Sequence, residues 1–97
     1  MAIMMVLDIP GGTQAQYEQI SLKLSNGRGL RKSSDWPVPG LVSHASGPTE
    51  SGWCVVDVWE SEQAWTRFAN VMVPLSQEVG MPQLTPRLYP TVNVVRD

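Results

Sequence analysis

One histidine, one cysteine and nine carboxylates carry most of the proton and metal chemistry open to this 97-residue chain. His44 lies in a run of strand character, on a face with Val42 and Ser46. An imidazole beside a carboxylate takes a proton near neutral pH and returns it. Asp57, in the middle of the apolar run Trp53–Glu60, is the carboxylate placed to serve it. An unpaired charge there is costly, so Asp57 needs a partner: His44, Arg87, a backbone group or a second subunit. A hairpin register setting His44 opposite Val55 puts Asp57 one diagonal step away. A slip of one residue turns His44 to the other face. The bland reading stands beside this one, a buried histidine hydrogen-bonded within its own dimer and Asp57 in a structural ion pair. Cys54, between tryptophan and valine, reads as an inert buried thiol. No cluster of His, Cys, Asp and Glu has metal spacing and no glycine-rich phosphate loop follows a strand, so neither cofactor nor metal is expected.

The elements that must position these residues are legible in order. Ile3–Ile9 is a short apolar strand closed by Pro10-Gly11-Gly12. Its near-continuous hydrophobicity suggests a central strand covered on both faces. Thr13 and Gln16 form a capping box, and Tyr17, Ile20 and Leu24 make one helical stripe, ended by Asn26-Gly27. Arg28–Pro39 is irregular. Its three basic residues read as a solvated loop rather than a phosphate site, and Trp36 packs over a core edge, against a partner, or as a lid. Leu41–Ser46 and Trp53–Glu60 are strands joined through Gly47–Gly52. Ser61 caps a second helix whose stripe is Trp65, Phe68, Met72, Leu75 and Val79. Pro74 predicts a kink or a two-piece helix, and Gly80 and Pro82 the stop. The run RLYPTVNVV, starting at Arg87, is the last strand, with Pro90 confining it to an edge or a bulge.

The order β-α-β-β-α-β is that of a ferredoxin-like α+β domain, with both helices on one face of a four-stranded antiparallel sheet. One domain fills the chain, 1–97. On the third strand, Cys54, Val56 and Val58 form the smooth face expected under the helices. Trp53, Asp57 and Trp59 are then expected on the uncovered face. A large exposed apolar patch marks an interface or a groove, so a homodimer enclosing a cavity is predicted. The net charge of -2 excludes an electrostatic footprint for nucleic acid. No apolar run is long enough to span a bilayer and no leader precedes the first strand. A single cysteine fits a reducing compartment, and a cytoplasmic location is expected.

The segment HASGPTESGWCVVDVWESEQAWTRF, followed later by LYPTVNVV, resembles the dimeric α+β barrel proteins of the antibiotic-biosynthesis-monooxygenase-like group. The resemblance is close from Gly40 to Phe68 and elsewhere follows element order. It implies a cofactor-independent oxygenase or related enzyme acting on a small aromatic or quinol-like compound. Trp53, Trp59, Trp65 and Tyr89 would shape the pocket, His44 would take a proton, and Asp57 or Asn93 would orient it. In similar oxygenases the helix-two tryptophan follows an asparagine one turn earlier, where this chain has Ser61; core packing is the alternative for Trp65. A histidine often precedes the final asparagine, where this chain has Val92. The haem-degrading branch uses a helical histidine, which neither helix here has. A non-catalytic homodimer binding a small hydrophobic ligand is the other reading.

Overall fold

The computed structural model describes residues 1–81 and 84–96. Its elements run β1 (Ile3–Pro10), α1 (Gln14–Leu24), a 3-10 turn (Ser33–Asp35), β2 (Leu41–Pro48), β3 (Gly52–Trp59), α2 (Glu62–Glu78) and β4 (Arg87–Pro90). The four strands form one antiparallel sheet in the order β2-β3-β1-β4, compatible with a ferredoxin-like domain. Both helices start on satisfied caps. Thr13 Oγ1 accepts from Gln16 N–H at 3.1 Å while Gln16 Oε1 accepts from Thr13 N–H, and Ser61 Oγ accepts from Ala64 N–H. Pro74 sits inside one continuous helix rather than dividing it. It lies on the exposed side, as does Asn70, whose carbonyl loses its partner to the missing N–H; water replaces that bond at little cost. The expected stop at Pro82 lies outside the described residues.

The two faces of β3 are assigned the other way round from the sequence expectation. Trp53 (7% exposed), Asp57 (1%) and Trp59 (0%) lie under the helices, and Cys54, Val56 and Val58 face outward. Both faces are apolar, so alternation alone does not choose between them. Side-chain bulk does. Fully burying a tryptophan is worth on the order of 4–6 kcal/mol at about 25 cal/mol per Å², against roughly 1.5–3 for a valine. Strand β1 agrees, since Ile3, Met5, Leu7 and Ile9 are buried and Asp8 points outward. The register between the two strands places Asp8 opposite Cys54 and Met5 opposite Asp57, so the outward carboxylate of β1 and the outward face of β3 lie on the same side. Nor is β1 covered on both faces, because Met4 on its outward side is 38% exposed.

Under the sheet, Trp59 stacks on Phe68 with ring centroids 5.0 Å apart and meets Trp65 edge-on at 6.3 Å. Gly40, at φ +111°, brings the start of β2 against α2. A Cβ there would stand 2.6 Å from that of Ala64, so only glycine allows this approach.

Candidate functional site

Register decides the first contact of the site. His44 pairs directly with Asp57, not diagonally from it, and a bulge lies between Leu41 and Ser43. Both side chains point toward the helices. His44 Nδ1 lies 2.6 Å from Asp57 Oδ1, and Trp59 Nε1 donates to Asp57 Oδ2 at 3.1 Å. The carboxylate only accepts, so Nδ1 carries the proton of this bond. On the other side of the ring, Tyr17 Oη lies 2.6 Å from His44 Nε2. In the neutral ring Nε2 accepts, and the Tyr17 hydroxyl donates. The result is a hydrogen-bonded row, Tyr17–His44–Asp57–Trp59, assembled from α1, β2 and β3. With Asp57 so satisfied, Arg87 pairs elsewhere, with Asp8 at 2.9 Å on the outward face.

The row borders a small, partly open cavity of about 50 Å³ between sheet and helices. Its walls are apolar, with Met5, Leu7, Ile20, Leu24, Phe68 and Met72 among them, and Tyr17, His44 and Asp57 supply the polar side chains. This cavity lies within the single chain, between its own sheet and helices. A dry cavity of roughly 150 Å³ is what holds a benzene ring. At its present size this one admits a ring only if its walls give way. Leu30, Trp36, Met81 and Leu84, which belong to no helix or strand, complete the wall.

Trp36 packs over the edge of the core, on the wall of the cavity. It is 8% exposed and meets the His44 ring edge-on with centroids 4.9 Å apart. The loop that carries it is stapled by Asp35, whose Oδ2 accepts from the N–H groups of Arg31 and Lys32, both at 3.0 Å. Arg28 Nε lies 3.4 Å from Oδ1. The Arg31 N–H holds the Asp35 carboxyl below its ordinary range; burial opposes it, while the Lys32 N–H and the charges of Arg28 and Lys32 assist.

The other sequence candidates are placed apart from this row. Trp53 packs on Tyr17 at 5.4 Å behind the cavity, and Trp65 packs in the core against Trp59 and Phe68. Neither lines the cavity. Tyr89 lies on the outward side of β4 and borders an open groove of about 990 Å³ between β4 and the start of α2. That groove is larger, but holds no histidine and no hydrogen-bonded carboxylate pair. Asn93 is exposed and beyond the four-residue β4, which ends at Pro90 as the proline's missing N–H favours.

Tyr17 is the residue that sequence reasoning left in the core stripe. Its signal was available: a tyrosine on the buried face of a helix needs a partner for its hydroxyl. Cys54 stands opposite Asp8 on the outward face, where burial first and the Asp8 carboxylate second push its thiol upward, against the pull of Arg87. Among the described residues no group of three or more metal-ligating side chains converges, and no helix is long and apolar enough to cross a membrane. No protein-family model and no curated protein sequence matches the chain.

Proposed function

We propose that the chain is a small cofactor-independent, oxygenase-like catalyst acting on a small aromatic or quinol-like compound. The hydrogen-bonded His44–Asp57 pair on the wall of an apolar cavity carries this reading. Asp57 fixes the tautomer of the ring, and the ring takes up a proton as the compound loses one. The resulting anion is electron-rich, and dioxygen is the co-substrate that reacts with it. The loop bearing Trp36 yields to admit the ring and then shuts out water. Oxygen uptake with a panel of quinols tests the reading. The wild type is expected to exceed His44→Ala by roughly 100-fold or more; equal uptake by the two counts against it.

One observation favours the second reading, a binder that does not turn its ligand over: the cavity is small and every polar group on it already has a partner within the protein. Native mass spectrometry of fresh protein separates the two, since a retained compound that survives unchanged in air supports the binder. In either case the domain works as a homodimer. The apolar outward face, with Met4, Val56 and Tyr89 each more than a third exposed, is the surface that a second copy covers.

A further inference from the structure

Both ring nitrogens of His44 are engaged inside the protein, Nδ1 by Asp57 and Nε2 by Tyr17, each at 2.6 Å. A ring so held offers the cavity its edge but no free nitrogen lone pair. A proton arriving from a ligand has no direct route to it. Tyr17 provides one. After its O–H is given to His44, its oxygen still has lone pairs to accept with, and its side chain lines the cavity. The ring is also firmly set. It lies nearly parallel to His44, with an interplanar angle of 11°, and rests on Trp53. It projects from the first turns of α1, next to the capping box that anchors that helix. The order of groups is that of a reactive hydroxyl, a base and a residue that orients the base, with a phenol in the first place.

We propose that Tyr17 is the catalytic residue of this site, the group that meets the ligand, and that His44 and Asp57 are positioning residues acting through it. As the ligand's O–H bond breaks, its proton goes to Tyr17 Oη, while the proton that Oη held goes to His44 Nε2. The ligand is left as an anion, and the imidazolium is neutralised by Asp57. No electron changes hands and no co-reactant is needed for this step. The ligand class is therefore a compound with an acidic hydroxyl, a phenol or quinol.

This inference rests on the proton-transfer reading of the site, and one set of measurements keeps the two apart. The chain has one histidine and two tyrosines, so ¹⁵N-imidazole and ¹³Cζ-tyrosine labels give one and two residues' signals. Tyr89, on the outward face, is the internal control. Hydroquinone, added without oxygen, is the probe. It is expected to move the Tyr17 Cζ signal, leave that of Tyr89 in place, and leave the proton of His44 on Nδ1. Tyr17→Phe is expected to bind hydroquinone within about threefold of wild type, since the ring is kept, and to lose roughly 100-fold or more of its turnover in air. The unchanged Nδ1 signal of the variant shows that it folds. Hydroquinone that shifts the His44 nitrogens while Tyr17 Cζ stays still overturns the proposal, as does hydroquinone that moves neither. Undiminished turnover by Tyr17→Phe overturns it too. No oxygen uptake by the wild type sinks the oxygenase reading alone, and the resonance shifts still decide whether Tyr17 meets the ligand.

Discussion

Asp57 is the buried carboxylate at the centre of the polar row. It is 1% exposed, and its two oxygens are held by a histidine and an indole N–H. Removing one member of such a buried pair strands the other, a loss of roughly 3–5 kcal/mol, whereas replacing both with apolar groups is often nearly neutral. His44→Leu is therefore expected to cost about 3–5 kcal/mol in chemical denaturation. The double variant His44→Leu with Asp57→Leu should recover part of that loss, although the Trp59 indole then lacks its acceptor. A double variant less stable than the sum of its two single variants would show that the pair is not what holds this part of the core.

At the scale of elements, two joints hold the site in place. The first is Gly40, where β2 meets α2. Alanine there must adopt a left-handed backbone and press its Cβ toward Ala64, so Gly40→Ala is expected to lose about 1–3 kcal/mol. For a domain of this size, thermal melting should fall by roughly 4–8 °C per kcal/mol. The second is the Asp35 staple of the Trp36 loop. The folded carboxyl ionises below its unfolded value of 3.8, so its contribution is fully present above that pH. It is lost as the pH falls through the lower folded value. Wild type should therefore lose stability as the pH falls below 3.8 more steeply than Asp35→Asn, which lacks the titrating group. Parallel acid-unfolding curves for the two would remove Asp35 from the account of the loop.

For the whole molecule, the placement of the tryptophans changes how association must be tested. Trp59 is a core residue, so Trp59→Glu reports on folding and not on an interface. Val56, 41% exposed in the middle of the outward face, is the position that tests the dimer. Sedimentation equilibrium at low micromolar concentration is expected to give about twice the 10.7 kDa chain mass. Val56→Glu should shift it toward a single chain while leaving the fold intact, because the carboxylate meets water in the free protomer and an apolar surface in the pair. A 10.7 kDa species for both proteins would leave the outward face without a partner copy.

The sequence by itself determined the order of elements, because its signals are local. The Thr13–Gln16 box, the Ser61 cap, the Trp65–Phe68–Met72 stripe and the Gly47–Gly52 connection each depend on neighbours a few residues apart. It also singled out His44 and Asp57, since a lone imidazole and a carboxylate within an apolar strand each call for a partner. Tertiary structure, through the bulk of the tryptophans and the pairing with β1, decided which face of β3 goes inside. Cys54-Val56-Val58 and Trp53-Val55-Trp59 are both apolar, and a register fixed by β1 had to choose. It alone brought in Tyr17, 27 positions from His44 in the chain, because a hydroxyl on a helix finds its partner only when that helix is laid on the sheet. It also set Tyr89 and Asn93 apart from the cavity, since β4 ends at Pro90 and the residues that sequence spacing had lined up on one strand no longer share it.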